Sequence, residues 1–162
     1  MRRFIAMLSI LFAVWCASAG EVSSSRLEII RSGSQPASKG SAANFTGEVK
    51  VESRFQRDAP ARVGGATVTF QRGARTAWHT HPLGQTLIIT SGSGWVQIAN
   101  GPKQTMRTGD VVLIPPNAKH WHGATAQSAM THIAVAEALN GTVVTWMEPV
   151  SDEEYTATTV EQ

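Results

Sequence analysis

All five histidines of the chain lie between His79 and His132, and four of them form two His-any-His pairs, His79 with His81 and His120 with His122. Imidazole serves both metal ligation and proton transfer near neutral pH. Successive side chains of a β-strand point to opposite faces, so the members of each pair share one face while Trp78, Thr80 and Trp121 point the other way. Two imidazoles on one face can share an ion. Nitrogen and oxygen ligands with open positions suit manganese, iron, cobalt, nickel or zinc, and spacing does not choose among them. His132 stands by itself in a separate run, where a lone imidazole is more often a hydrogen-bonded strand residue than a ligand.

The elements that must carry these side chains read as short strands. Runs with β-branched and aromatic residues fall at Gly47 to Val51, Ala66 to Phe70, Thr86 to Thr90, Trp95 to Ala99, Val111 to Ile114, His120 to Ala124, Met130 to Ala136 and Thr142 to Trp146. Turn signals separate them at close spacing, the pattern of an all-β sandwich or barrel. Ser91-Gly92-Ser93-Gly94 and Asn100-Gly101 are expected to be tight turns, because Gly and Asn tolerate the positive φ of hairpins. Ser151 with Glu154 predicts a capping box opening a short helix or turn.

The two ends read differently. Met1-Arg2-Arg3 followed by the apolar run Phe4 to Trp15 and by Ala17-Ser18-Ala19 predicts a signal peptide at residues 1–19, cleaved after Ala19. The chain is therefore expected to be exported, to a bacterial periplasm or outside the cell, with no stable membrane association after cleavage. Residues 20–45, including the Ser- and Gly-rich stretch Ser32 to Asn44, are expected to form an N-terminal arm, residues 46–150 one domain, and residues 151–162 a tail. Taking Arg2 and Arg3 from the 14 basic residues balances them against the 12 acidic ones. A balanced chain lacks the electrostatic footprint of a nucleic-acid binder. Cys16, the single cysteine, leaves with the signal, so disulfides are not expected to staple the mature fold.

Gly73, five residues, His79-Thr80-His81, three residues, Gln85, six residues and Gly92 resemble the first motif of the cupin superfamily, with Gln85 at a position usually held by Glu. Gly109, five residues, Pro115, then Asn117 and His120 resemble the second. The resemblance implies a cupin double-stranded β-helix, or jelly-roll barrel, holding one divalent metal on His79, His81, Gln85 and His120. Beyond those motifs, Gly73 to Ile88, Lys119 to Ala124 and Met130 to Ala134 are similar to the bacterial cupin-type, manganese-dependent hydroxynitrile lyases. That similarity implies manganese as the favoured metal, His122, His132 and Thr76 as catalytic residues in the pocket, and a homo-oligomer, since cupins commonly pair through sheets and arms. The implied reaction cleaves or forms cyanohydrins such as mandelonitrile.

The residues are consistent with that chemistry. A neutral amide at Gln85 does not cancel charge as a carboxylate would, so the ion keeps more of its Lewis acidity. A cyanohydrin hydroxyl must lose a proton as its carbon–cyanide bond breaks, and His122 or His132 can accept it. Two other readings stand beside the lyase: an exported cupin dioxygenase of quercetinase-like type, and a non-enzymatic metal- or small-molecule-binding cupin.

Overall fold

The computed structural model describes residues 27–160; the expected signal peptide lies outside them. Within these residues the chain forms thirteen strands and one five-residue helix, all strands joined in one curled sheet. The strands are β1 (Ala37–Lys39), β2 (Phe45–Thr46), β3 (Val49–Gln56), β4 (Val63–Phe70), β5 (Arg75–Thr76), β6 (His79–Thr80) and β7 (Gln85–Ile98). They continue as β8 (Lys103–Arg107), β9 (Val111–Ile114), β10 (His120–Ala124), β11 (Met130–Glu137), β12 (Thr145–Trp146) and β13 (Thr159–Val160), with helix α1 (Asp152–Thr156) before the last. Among the described residues no helix is long and apolar enough to cross a membrane.

One layer runs β1-β3-β4-β11-β7-β9, and the other gathers β2, β5, β6, β8, β10 and β12 around the second half of β7. Strand β7 belongs to both. This corrects one expectation: Ser91 to Gly94 do not reverse the chain but bend a single 14-residue strand from one layer into the other. Gly92 takes φ 73° there, and a Cβ on it would sit 1.9 Å from the Ala129 carbonyl oxygen, so only glycine fits the crossing. Asn100-Gly101 is the turn expected, with Asn100 at φ 64°. Asn117 adopts φ 59°, the left-handed conformation asparagine tolerates best after glycine.

The barrel interior is filled by Val49, Val68, Phe70, Leu87, Ile89, Met106, Ile114 and Met130. A second cluster of Trp78, Trp121, Val150 and Tyr155 covers the opposite face of the histidine strands. Strand alternation therefore sorts His79, His120 and His122 inward and Trp78 and Trp121 outward, as expected, yet all five residues of β10 are buried. The reason is α1. Its capping box forms as expected, with Ser151 Oγ accepting from the Glu154 N–H, and it sets Tyr155 over the outer face, where the phenol donates to the Ala124 carbonyl at 2.9 Å. Arg75 Nε and Nη2 both donate to the Val150 carbonyl, at 3.2 and 3.0 Å, fastening the same segment. The expected tail thus packs on the domain, and the expected arm supplies β1, which pairs with β3, and runs into β2, which straddles the expected boundary and pairs with β5.

Candidate metal centre and pocket

Inside the barrel, β6, the turn after it, the start of β7 and strand β10 bring His79, His81, Gln85 and His120 together. His79 and His120 sit opposite each other in register, with ring centroids 4.1 Å apart. The rings of His81 lie 5.2 Å from His79 and 5.7 Å from His120. Each imidazole is tethered at Nδ1 by a backbone carbonyl: His79 by Ala77 at 3.0 Å, His120 by Ala118 at 2.8 Å and His81 by Val143 at 2.7 Å. A carbonyl can only accept, so the proton is on Nδ1 and the Nε2 lone pair is left for a ligand.

One contact tests whether a metal fits. Nε2 of His120 stands 3.2 Å from Oε1 of Gln85. With the His120 proton held by Ala118, both atoms are acceptors, and two acceptors gain nothing by facing each other in a buried site. Two ligands at about 2.1 Å from one ion on adjacent positions stand about 3 Å apart, which is what this pair does. Nε2 of His81 is buried without any partner, a cost that an ion would remove. The donor set therefore fits a divalent metal.

The tightest histidine group is slightly different from the expected one. The candidate ligand nitrogens of His79, His120 and His122 lie within 4.8 Å of one another, so three histidines could bind a metal ion. His122 differs from the other two in its tether: its Nδ1 meets Nε2 of His132 at 3.3 Å, leaving Nε2 of His122 and Nδ1 of His132 without partners. Thr76 joins this second pair through Oγ1, which accepts from the His122 backbone N–H at 3.1 Å. All seven residues singled out in the sequence are thus buried around one interior.

That interior is a cavity of about 170 Å³ lined by His79, His81, His122, His132, Gln85 and Thr76 together with apolar side chains. Sequence reasoning missed the lining from Phe45, Val144 and Trp146. The two-residue alternation of Val144 and Trp146 was the available signal, but nothing in it says which face turns inward. Phe70 packs against His122 and His132, with ring centroids 5.8 and 5.5 Å away.

Burial holds the imidazoles neutral. Loss of hydration lowers His79 to about 3, with the neighbouring His120 adding to the shift, and lowers His120 and His132 to about 4. The same cause lowers His81, and it lowers His122 well below the ordinary value. In the unfolded chain these groups titrate near 6.5. As pH falls through that value the unfolded state takes up protons first, so the stability contributed by neutral burial is present above about 6.5 and is lost toward pH 4. Metal-stripped protein is accordingly expected to melt at a clearly lower temperature at pH 5 than at pH 7.5. Equal melting temperatures in a chelator-treated thermal scan would contradict it.

Residues 66–136 match the family described as the cupin domain. The (R)-mandelonitrile lyase of Granulicella tundricola is 56% identical over 129 residues, 80% of this chain and 98% of that protein. A cupin-like protein of Thermotoga maritima, solved by crystallography, is 38% identical with a TM-score of 0.70, covering 82% of this chain and 97% of that one. A polyketide cyclase from Streptomyces resistomycificus shares the fold at 14% identity, TM-score 0.64, over 80% of this chain and 91% of its own. Taken with the curled double-layered sheet and the inward histidines on β6 and β10, these likenesses make the chain a member of the cupin family.

Proposed function

We propose that the chain is a metal-dependent hydroxynitrile lyase that cleaves cyanohydrins such as mandelonitrile to an aldehyde and hydrogen cyanide, and forms them in reverse. The observation that carries this reading is the division of labour in the cavity. Three imidazoles tethered to backbone carbonyls, with Gln85, make a ligand set, and a second imidazole pair, His122 with His132, lies beside it with nitrogens to spare. A storage or purely metal-binding cupin has no use for that second pair. The 56% identity to a mandelonitrile lyase supports the same substrate.

The ligands are His79, His81, Gln85 and His120, and the metal is manganese. When bound, the ion supplies a Lewis acid that eases loss of the hydroxyl proton. The remaining work belongs to side chains of the chain. The His122 Nε2 lone pair accepts the hydroxyl proton while Nδ1–H of the same ring donates to His132 Nε2, so the positive charge that develops is shared across the 3.3 Å contact. As the carbon–cyanide bond breaks, its electron pair leaves with cyanide and the oxygen's electrons close the carbonyl. The Thr76 hydroxyl, whose oxygen already accepts from the backbone, has its proton free to donate to the departing cyanide, which then takes up the transferred proton. Phe45, Val68 and Phe70 keep the cavity apolar, which strengthens each of these contacts.

The test is cyanide release from mandelonitrile by protein loaded in turn with manganese, iron, cobalt and zinc, with spontaneous decomposition subtracted. Release well above background with at least one metal is expected; background rates with every metal would end the lyase reading. Export and self-association complete the proposal. Met1 to Ala19 supports export by its charged start, apolar run and small-residue cleavage site. Val111 and Leu113, 58% and 74% exposed on edge strand β9, support a homo-oligomer, since exposed apolar edges are surfaces that chains cover.

A further inference from the structure

The three tethered imidazoles are not equally supported. Among the described residues, the rings of His81 and His120 meet only other histidine rings, whereas His79 also lies against the indole of Trp146, with centroids 4.8 Å apart and planes tilted by 39°. His79 and Trp146 face each other across the ladder of β6 and β12, where side chains of paired strands interact most directly. The indole is itself fixed. It packs on Phe45, with ring centroids 5.5 Å apart, and its Nε1–H donates to Asn44. With the Asn44 amide oriented so that Oδ1 faces the indole, that bond is 3.3 Å long, and Nδ2 donates to the Ala43 carbonyl at 3.3 Å. An indole N–H can only donate, so Asn44 offers it the oxygen.

Asn44 reaches His79 by a second route. Its backbone carbonyl accepts from the Ala77 N–H at 2.8 Å, and the Ala77 carbonyl in turn accepts from Nδ1 of His79 at 3.0 Å. One residue thus holds both the indole that lies against the imidazole and the residue whose carbonyl tethers it. Asn44 is secured by a turn: the Ser41 carbonyl accepts from the N–H groups of Asn44 and Phe45, at 2.9 and 3.0 Å. Composition puts Asn44 at the end of the Ser- and Gly-rich arm, and both it and Trp146 lie outside the matched residues 66–136. Phe45 and Trp146 line the inner cavity and Asn44 does not, so it acts on the site only through other groups.

We infer that Asn44 is a positioning residue of the metal centre: through Trp146 and Ala77 it fixes the plane of the His79 ring in metal-free protein, so that Nε2 is already aimed at the ligand position. This rests on the metal-dependent reading and adds to it a part that the four ligands do not contain. An imidazole held only at Nδ1 can still tilt about that hydrogen bond, and each tilt swings Nε2 on the other side of the ring. An indole packed against the ring removes that freedom. Holding a group in its bound conformation takes the ordering cost out of binding, so the latch contributes to metal affinity without supplying a ligand.

The test is the affinity of chelator-stripped protein for manganese, or for zinc if manganese is not held, read by competition with a fluorescent chelator. Side-chain variants leave the Asn44 carbonyl in place and so read the indole branch alone. Asn44→Ala is expected to weaken binding by about tenfold, the lower end of the loss usual for outer partners of metal ligands. Asn44→Asp keeps an oxygen for the indole and is expected to restore the affinity. Trp146→Phe keeps a ring but has no N–H to latch, so adding Asn44→Ala to it should cost nothing further. Asn44→Leu serves if Asn44→Ala does not fold. Parental affinity in the Ala or Leu variant, whatever its melting temperature, overturns the inference. Equal losses in Asn44→Ala and Asn44→Asp, or additive losses in the double variant, overturn it too. If the parent binds neither metal, the metal-dependent reading fails, and the latch is read in metal-free protein by nuclear magnetic resonance. An Overhauser contact between the Trp146 and His79 rings that Asn44→Ala abolishes then upholds it, and absence of that contact from the parent or its persistence in the variant overturns it.

Discussion

His81→Ala is expected to abolish tight metal binding and cyanide release together. His81 Nε2 is buried without a partner, and its Nδ1 is anchored on the Val143 carbonyl at 2.7 Å, an arrangement whose purpose is to present one lone pair to the interior. Removing an outer hydrogen-bond partner of a metal ligand commonly costs about 10- to 100-fold in affinity, so removing a ligand itself should cost more than about a hundredfold. Lys50→Ala, on the exposed face of β3, is the control and should keep parental metal content. Elemental analysis after gel filtration reads both. If His81→Ala retains the metal and His122→Ala loses it, the ion sits among His79, His120 and His122, the group whose nitrogens lie within 4.8 Å.

His122→Ala and His132→Ala should do the opposite, keeping the metal while lowering kcat by about a hundredfold or more, the usual loss for a positioned acid or base. The two rings touch at one nitrogen each and make one proton-handling unit, so the double variant should lose little more than either single one. Each change removes one partnerless buried nitrogen but orphans the facing nitrogen of the other ring and leaves a cavity, so a lowered melting temperature is expected in both variants. Lost activity in folded protein with metal content preserved is the expected result. Parental rates in both variants would remove the pair from the mechanism while leaving the metal centre intact.

The division between what was legible in the sequence and what was not follows from the physics of strands. Alternation by two residues is local, so the inward set His79, His81, His120 and His122 and the outward set Trp78 and Trp121 could be read from spacing. The turn at Asn100-Gly101, the left-handed Asn117 and the Ser151 capping box are likewise local, each set by one or two side chains and their own backbone. Ser91 to Gly94 looked like the same kind of signal and was not. A glycine's permissiveness allows a reversal or a bend, and the Ala129 carbonyl pressed against Gly92, 37 residues distant in sequence, made it a bend.

Everything that depended on contact across the barrel was decided by the tertiary structure. Which imidazole nitrogens are free is set by carbonyls of Ala77, Ala118 and Val143, the last of them 62 residues from the ring it tethers. The meeting of His122 with His132 needs β10 and β11 to face each other across the interior, and the burial of all of β10 needs α1 to return over its outer face. Periodicity named the face each side chain occupies; only long-range pairing could say what it meets there.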